Sequence, residues 1–120
     1  MGARINFVFK AYENEAAHVT LYSHWGELGW RDDLFQALEK ARPRWSDPAY
    51  GIRIVVSQLI ADKWDSETGF GLFTSVDGED LGDTTVVVDF TNETVNDTGN
   101  EHSFTSFINY HEEVKEYHNA

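Results

Sequence analysis

The sequence predicts an α+β domain: an antiparallel sheet with two central helices and a C-terminal helix packed on it. Three observations carry this. Apolar residues alternate with period two at Ile5, Phe7 and Phe9, and the run Thr84 to Phe90 (TTVVVDF) is β-branched, both patterns of strands. Between Ser23 and Trp64, a stretch that holds all four tryptophans, apolar residues recur instead at helical spacing. Strand-like and helix-like stretches come in the order ββααβ(ββ)α, without the strand–helix alternation of a parallel fold. At 120 residues the chain reads as one domain, residues 1–120, with about 116–120 frayed.

In chain order, Arg4 to Lys10 (RINFVFK) is a strand with one apolar side, Ala11 to Ala17 a polar turn, and His18 to Tyr22 a second strand, together an antiparallel hairpin. Ser23 to Trp30 has two glycines and no clean period, and reads as a loop. The first helix is expected from about Trp30 to Arg42. Asp32 and Asp33 suit the positive end of its dipole and Lys40 and Arg42 the other, Leu34, Leu38 and Ala41 line one face, and Pro43 stops it. The second, about Asp47 to Lys63, starts with Ser46 or Asp47 as cap and Pro48 at the first helical position. Ile52, Val55, Val56, Leu59 and Ile60 form its apolar face, with Trp64 extending it, so it is expected to be the central core helix. Phe70 to Val76 is a strand, Asp77 to Asp83 (DGEDLGD) a turn-rich acidic connection, Thr84 to Phe90 the strongest strand, and Thr94 to Asn96 a short one. Asn96 to Glu101 reads as a polar loop. Ser103 then caps a last helix with Phe104, Phe107, Ile108, His111 and Val114 on one face.

Composition excludes several classes. With no cysteine there is neither a disulfide framework nor a thiolate metal site, which fits a reducing cytoplasm. The opening MGARINFVFK is not a secretory signal, and no stretch approaches about 18 consecutive apolar residues, so no membrane partner is expected. The two Asn-x-Thr sequons at Asn92 and Asn96 are then read as chance. Net charge is −12, and its distribution is uneven. Residues 1–60 are balanced, whereas residues 61–120 hold two lysines against fourteen carboxylates. Such a surface repels nucleic acid, so direct nucleic-acid binding is not expected; it suits a basic protein partner or imitation of DNA's charge.

Catalytic chemistry finds little support. No two histidines stand three or four residues apart on a helix, no His-Glu-x-x-His occurs, and neither a phosphate-binding glycine loop nor a calcium-hand spacing is present. Neither a metal nor another cofactor is expected. His24 and the group His111-Glu112-Glu113 read as ordinary polar positions. The informative cluster is cationic and aromatic: Arg31, Arg42, Arg44, Trp45, Tyr50 and Arg53, with His24 and Trp25 just before. Arginine forks take phosphate bidentately, aromatic faces stack on bases, and a helix N-terminus adds N–H donors. These eight residues are the candidate site for a small anionic ligand. The competing account has the arginines paired with surplus carboxylates and the tryptophans in the core.

The run VTLYSHWGELGWRDDLFQALEKARPRWSDPAYGIRIVVSQLI, with SHWGE and ARPRW its most distinctive segments, resembles small hypothetical proteins of tailed bacteriophages, cyanophage-like ones among them. The resemblance implies a viral context in a host cell's cytoplasm and no catalytic residues. It leads to the expectation of a non-enzymatic counter-defence (anti-defence) binding protein that sequesters a phosphate-bearing signalling nucleotide at the Arg/Trp cluster. The alternative is an acidic inhibitor that binds a basic host protein, in the manner of a nucleic-acid mimic. A small hydrolase is a third reading, and homo-oligomers are left open.

Overall fold

A computed structural model describes residues 4–24 and 29–110. Six strands form one mixed sheet in the order β3-β2-β1-β4-β5-β6: β1 Ile5–Lys10, β2 Ala17–Ser23, β3 Phe70–Val76, β4 Thr84–Asp89, β5 Thr94–Asp97 and β6 Asn100–Ser103. Helix α1 spans Trp30–Ala41, a single 3-10 turn follows at Arg42–Arg44, and α2 spans Pro48–Ile60. Residues 104–110 are helical (α3). The expected α+β class, with three helices on a sheet, is what the chain adopts. His111, Glu112, Glu113 and Val114 lie outside the described residues, as does Trp25.

Four of the five strand pairings are antiparallel, but the central pair, β1 with β4, is parallel, Phe7 standing beside Val86. The departure from an all-antiparallel sheet follows from the connection 77–83. It starts at the Lys10 end of the sheet, where Asp77 N–H donates to Ala16, and must reach Thr84 beside Ile5 at the other end. It therefore passes across β2 and β1 on its way from one end of the sheet to the other. Asn6, Val8, His18, Thr20 and Ser75, which all point to the face opposite Ile5, Phe7 and Leu21, are buried as well, and Leu81 in the connection is half-buried.

The main core lies on the helical side. Ile5, Phe7, Phe9, Leu21, Val86, Val88 and Val95 meet the buried faces of α1, α2 and α3 in one cluster. Helix α1 is the most buried helix: Trp30, Leu34, Phe35, Ala37, Leu38 and Ala41 are all enclosed. It lies between α2 and α3, touching α3 through Trp30, which stacks on Phe107 with ring centroids 6.2 Å apart. This corrects the expectation that α2 is central. Helix α2 fully buries Gly51, Val55, Val56 and Ile60, while Ile52 and Leu59 are only partly covered. It ends at Ala61, whose φ of 56° breaks the helix, so Trp64 leaves the apolar face and is 55% exposed. Pro48 starts α2 as expected, and the Ser103 hydroxyl accepts the Ser106 N–H (3.0 Å) at the start of α3. Asp89 closes the turn after β4, its carboxylate accepting from the Thr91 and Asn92 N–H groups (2.8 and 3.1 Å).

The expected polar loop at Asn96 to Glu101 is instead a hairpin. Thr98 (φ 47°) and Gly99 (φ 93°) make a two-residue turn with both φ positive, the geometry that matches strand twist, and Asp97 pairs with Asn100. No helix among the described residues is long and apolar enough to cross a membrane.

Candidate functional site

The arginine and aromatic residues singled out in the sequence do not converge. Arg31 opens α1 and Arg42 follows its last residue, about 16 Å away at 1.5 Å per residue. His24 continues β2 at the Gly69 end of the sheet, its N–H donating to the Gly69 carbonyl (2.9 Å), with Nδ1 2.9 Å from the Tyr22 hydroxyl. Arg42, Arg44, Trp45 and Tyr50 gather at the opposite end, where Gly51 meets Phe90.

At that α1–α2 joint the side chains are engaged with one another. Trp45 is buried, its indole N–H donates to the Leu38 carbonyl (3.0 Å), and Phe104 packs edge-on at 5.1 Å. The Arg42 guanidinium lies 4.8 Å over the Trp45 ring and bonds Glu39 at 2.7 Å. Arg44 sits 5.5 Å over the exposed Tyr50 ring, and Arg53 is exposed on α2. Arg31 lies 4.6 Å over Trp30 and pairs with Asp97 at 2.7 Å. It borders a cavity of about 290 Å³ between α1, the β5–β6 hairpin and α3, floored by Trp30, Val95 and Phe107. The pairing of arginine with carboxylate and the burial of tryptophan are what structural packing would produce.

A different feature stands at the β3 edge, where the sequence offered no motif. Strand pairing places Val19, Leu72 and Val76 on the helical side of the sheet, yet all three stay exposed. These three and Trp64 are between 49% and 55% exposed, and Phe73 on the other face is 40% exposed. A hollow of about 120 Å³ runs between Trp64, Phe70, Leu72, Ile60 and Leu21. Exposed carboxylates stand at both ends of this apolar edge: Asp62, Asp65 and Glu67 before β3, and Asp77, Glu79 and Asp80 after it. Lys10 (3.5 Å) and His18 Nε2 (2.8 Å) engage only Asp77, and the hydrogen bond from His18, helped by the Lys10 charge, holds that carboxyl below its ordinary range. The signal for this edge was present in the sequence: FGLFTSV is an uncharged run in a chain one-quarter charged.

No set of three or more His, Asp or Glu among the described residues could hold a metal. No family model, curated protein or solved structure matches the chain.

Proposed function

We propose that the protein is a non-enzymatic binding protein whose partner is a basic protein, captured at the β3 edge. The observation that carries this reading is the exposed apolar group Val19, Trp64, Leu72 and Val76 between two sets of carboxylates. Exposed apolar patches with a polar rim mark protein contact surfaces, and an acidic rim selects and steers a cationic partner. The engagement of Arg31 with Asp97, and of Arg42 with Glu39 and Trp45, favours this over nucleotide capture at the arginine cluster. The resemblance to phage proteins supports a host protein as the partner, and a counter-defence or inhibitor role.

The test is affinity capture from bacterial lysate followed by native mass spectrometry. The variant for comparison carries Asp62→Asn, Asp65→Asn, Glu67→Gln, Glu79→Gln and Asp80→Asn. Each amide keeps the shape and an acceptor oxygen, including those that bond the Val76 and Gly82 N–H groups. The wild type should retain a basic protein at low salt, and the variant should not. Retention of a nucleotide in place of a protein, or capture indifferent to the five substitutions, would overturn the reading.

A further inference from the structure

We infer that β3 is an open docking edge that takes up an extended, Lys/Arg-flanked segment of the partner as a seventh strand; this rests on the basic-partner reading above. Edge strands invite pairing, and folded proteins blunt them by shortness, charge, proline or a bulge. The sheet's other edge is blunted: β6 has four residues, all exposed, and carries Glu101. Strand β3 has none of these devices. It runs seven residues, FGLFTSV, with no charge and no proline, and pairs with β2 at seven consecutive positions without a bulge.

Its outward main chain can be identified. His24 N–H donates to Gly69 and Asp77 N–H donates to Ala16. In an antiparallel ladder, bonded pairs alternate with non-bonded ones. Residues 69, 71, 73, 75 and 77 therefore bond β2, while Phe70, Leu72, Thr74 and Val76 point their N–H and C=O groups away from the sheet. Glu79 occupies the Val76 end, its carboxylate accepting the Val76 N–H (3.0 Å) and its own N–H donating to the Val76 carbonyl (3.1 Å). Phe70, Leu72 and Thr74 offer three donors and three acceptors in register, which is what an added strand requires.

Charge selects the occupant. A second copy pairing antiparallel about Phe73 would set Glu67 opposite its Glu79, with Asp77 and Asp80 alongside, and like charges opposite one another destabilise a strand pair. A segment with lysine or arginine at both ends meets those same carboxylates favourably. Its apolar side chains alternate, so that one set lies beside Leu72 on the helical side of the sheet.

The probe is the synthetic peptide KKVTVTVKK, with two versions N-methylated on alternate sets of amides and one with glutamates in place of the lysines. Binding is followed by amide NMR shifts and hydrogen exchange. The parent peptide should bind saturably, with shifts and new exchange protection at Phe70, Leu72 and Thr74. At least one methylated version should bind at least ten-fold more weakly, because it loses its main-chain bonds to the Phe70, Leu72 and Thr74 carbonyls, and the glutamate version should not bind. In the protein, Thr74→Pro removes only an outward N–H, so the β2 ladder survives and peptide binding is lost, whereas Thr74→Val binds as wild type. Leu72→Lys should also abolish binding while leaving the fold intact. Saturable binding of both methylated versions at parental strength, or shifts away from β3, would overturn strand addition and leave the basic-partner reading standing. No binding of KKVTVTVKK, together with no basic protein captured from lysate, would overturn both. A concentration-dependent dimer disrupted by Leu72→Lys would show the occupant to be a second copy and overturn the choice of partner.

Discussion

Gly51 shows how one residue fixes the spacing of the helical layer. A Cβ built there would stand 2.6 Å from the Phe90 ring and 2.7 Å from the Arg44 carbonyl oxygen. The first obstacle is a buried core ring and the second is main chain, so neither can simply swing aside. In an exposed helix, alanine is favoured over glycine by roughly 0.5–1 kcal/mol. Here overpacking, at about 1–3 kcal/mol, outweighs that gain. Gly51→Ala is therefore expected to destabilise the fold, read as a lower urea midpoint at unchanged slope; a higher midpoint would show that the joint can open. The sequence displays this glycine as a weak point in a helix and a place for close packing, but cannot display the ring of Phe90, which arrives from 39 positions along the chain. The same blindness explains the arginines. Density in sequence made Arg31, Arg42, Arg44 and Arg53 look like one site, yet helical rise carries Arg31 to the far end of α1, and Glu39 is near enough to claim Arg42.

Elements were more legible than their neighbours. Strand β3 runs from Phe70 to Val76 as its pattern predicts, and α1 ends next to Pro43. The hairpin at Thr98-Gly99 was missed because β6 (NEHS) has no apolar alternation, being held by its register and turn alone. Which helix lies deepest was misjudged for a related reason. Helix α2 has the cleaner apolar periodicity, but depth depends on position in the layer, and α1 has helices on both sides. The two helices should answer mutation differently. Leu38→Ala, at a fully enclosed site, should cost about 2–5 kcal/mol. Leu59→Ala, at a partly covered one, should cost distinctly less, since both the transfer and cavity terms shrink. Paired chemical denaturation of the two variants checks this, and equal losses would mean that α2 is covered more deeply than the structure shows.

For the whole molecule the governing quantity is the charge of −12, and it acts on stability and on binding with opposite signs. Carboxylates crowd the second half of the chain, and of those in residues 61–110 only Asp77 and Asp97 form ion pairs among the described residues. Self-repulsion of this kind destabilises a compact state. Added salt relieves it, since the screening length falls from about 10 Å at 0.1 M to about 3 Å at 1 M. Salt also weakens the ion pairs. Arg31–Asp97, Arg42–Glu39 and Lys10–Asp77 each have a partner at least 37% exposed, and pairs of this type are worth only about 0–1 kcal/mol. The many unpaired carboxylates should outweigh these few contacts, so the thermal midpoint should rise between about 0.02 and 0.5 M sodium chloride, by about 4 °C for each kcal/mol of repulsion removed. Over the same range the affinity for a lysine-flanked strand should fall, because the attraction that steers it to the β3 edge is screened too. Calorimetric unfolding and peptide titration on one salt series measure both slopes. Stability that falls with salt would give the ion pairs the larger share, and peptide affinity indifferent to salt would mean that the carboxylates around β3 play no part in holding it.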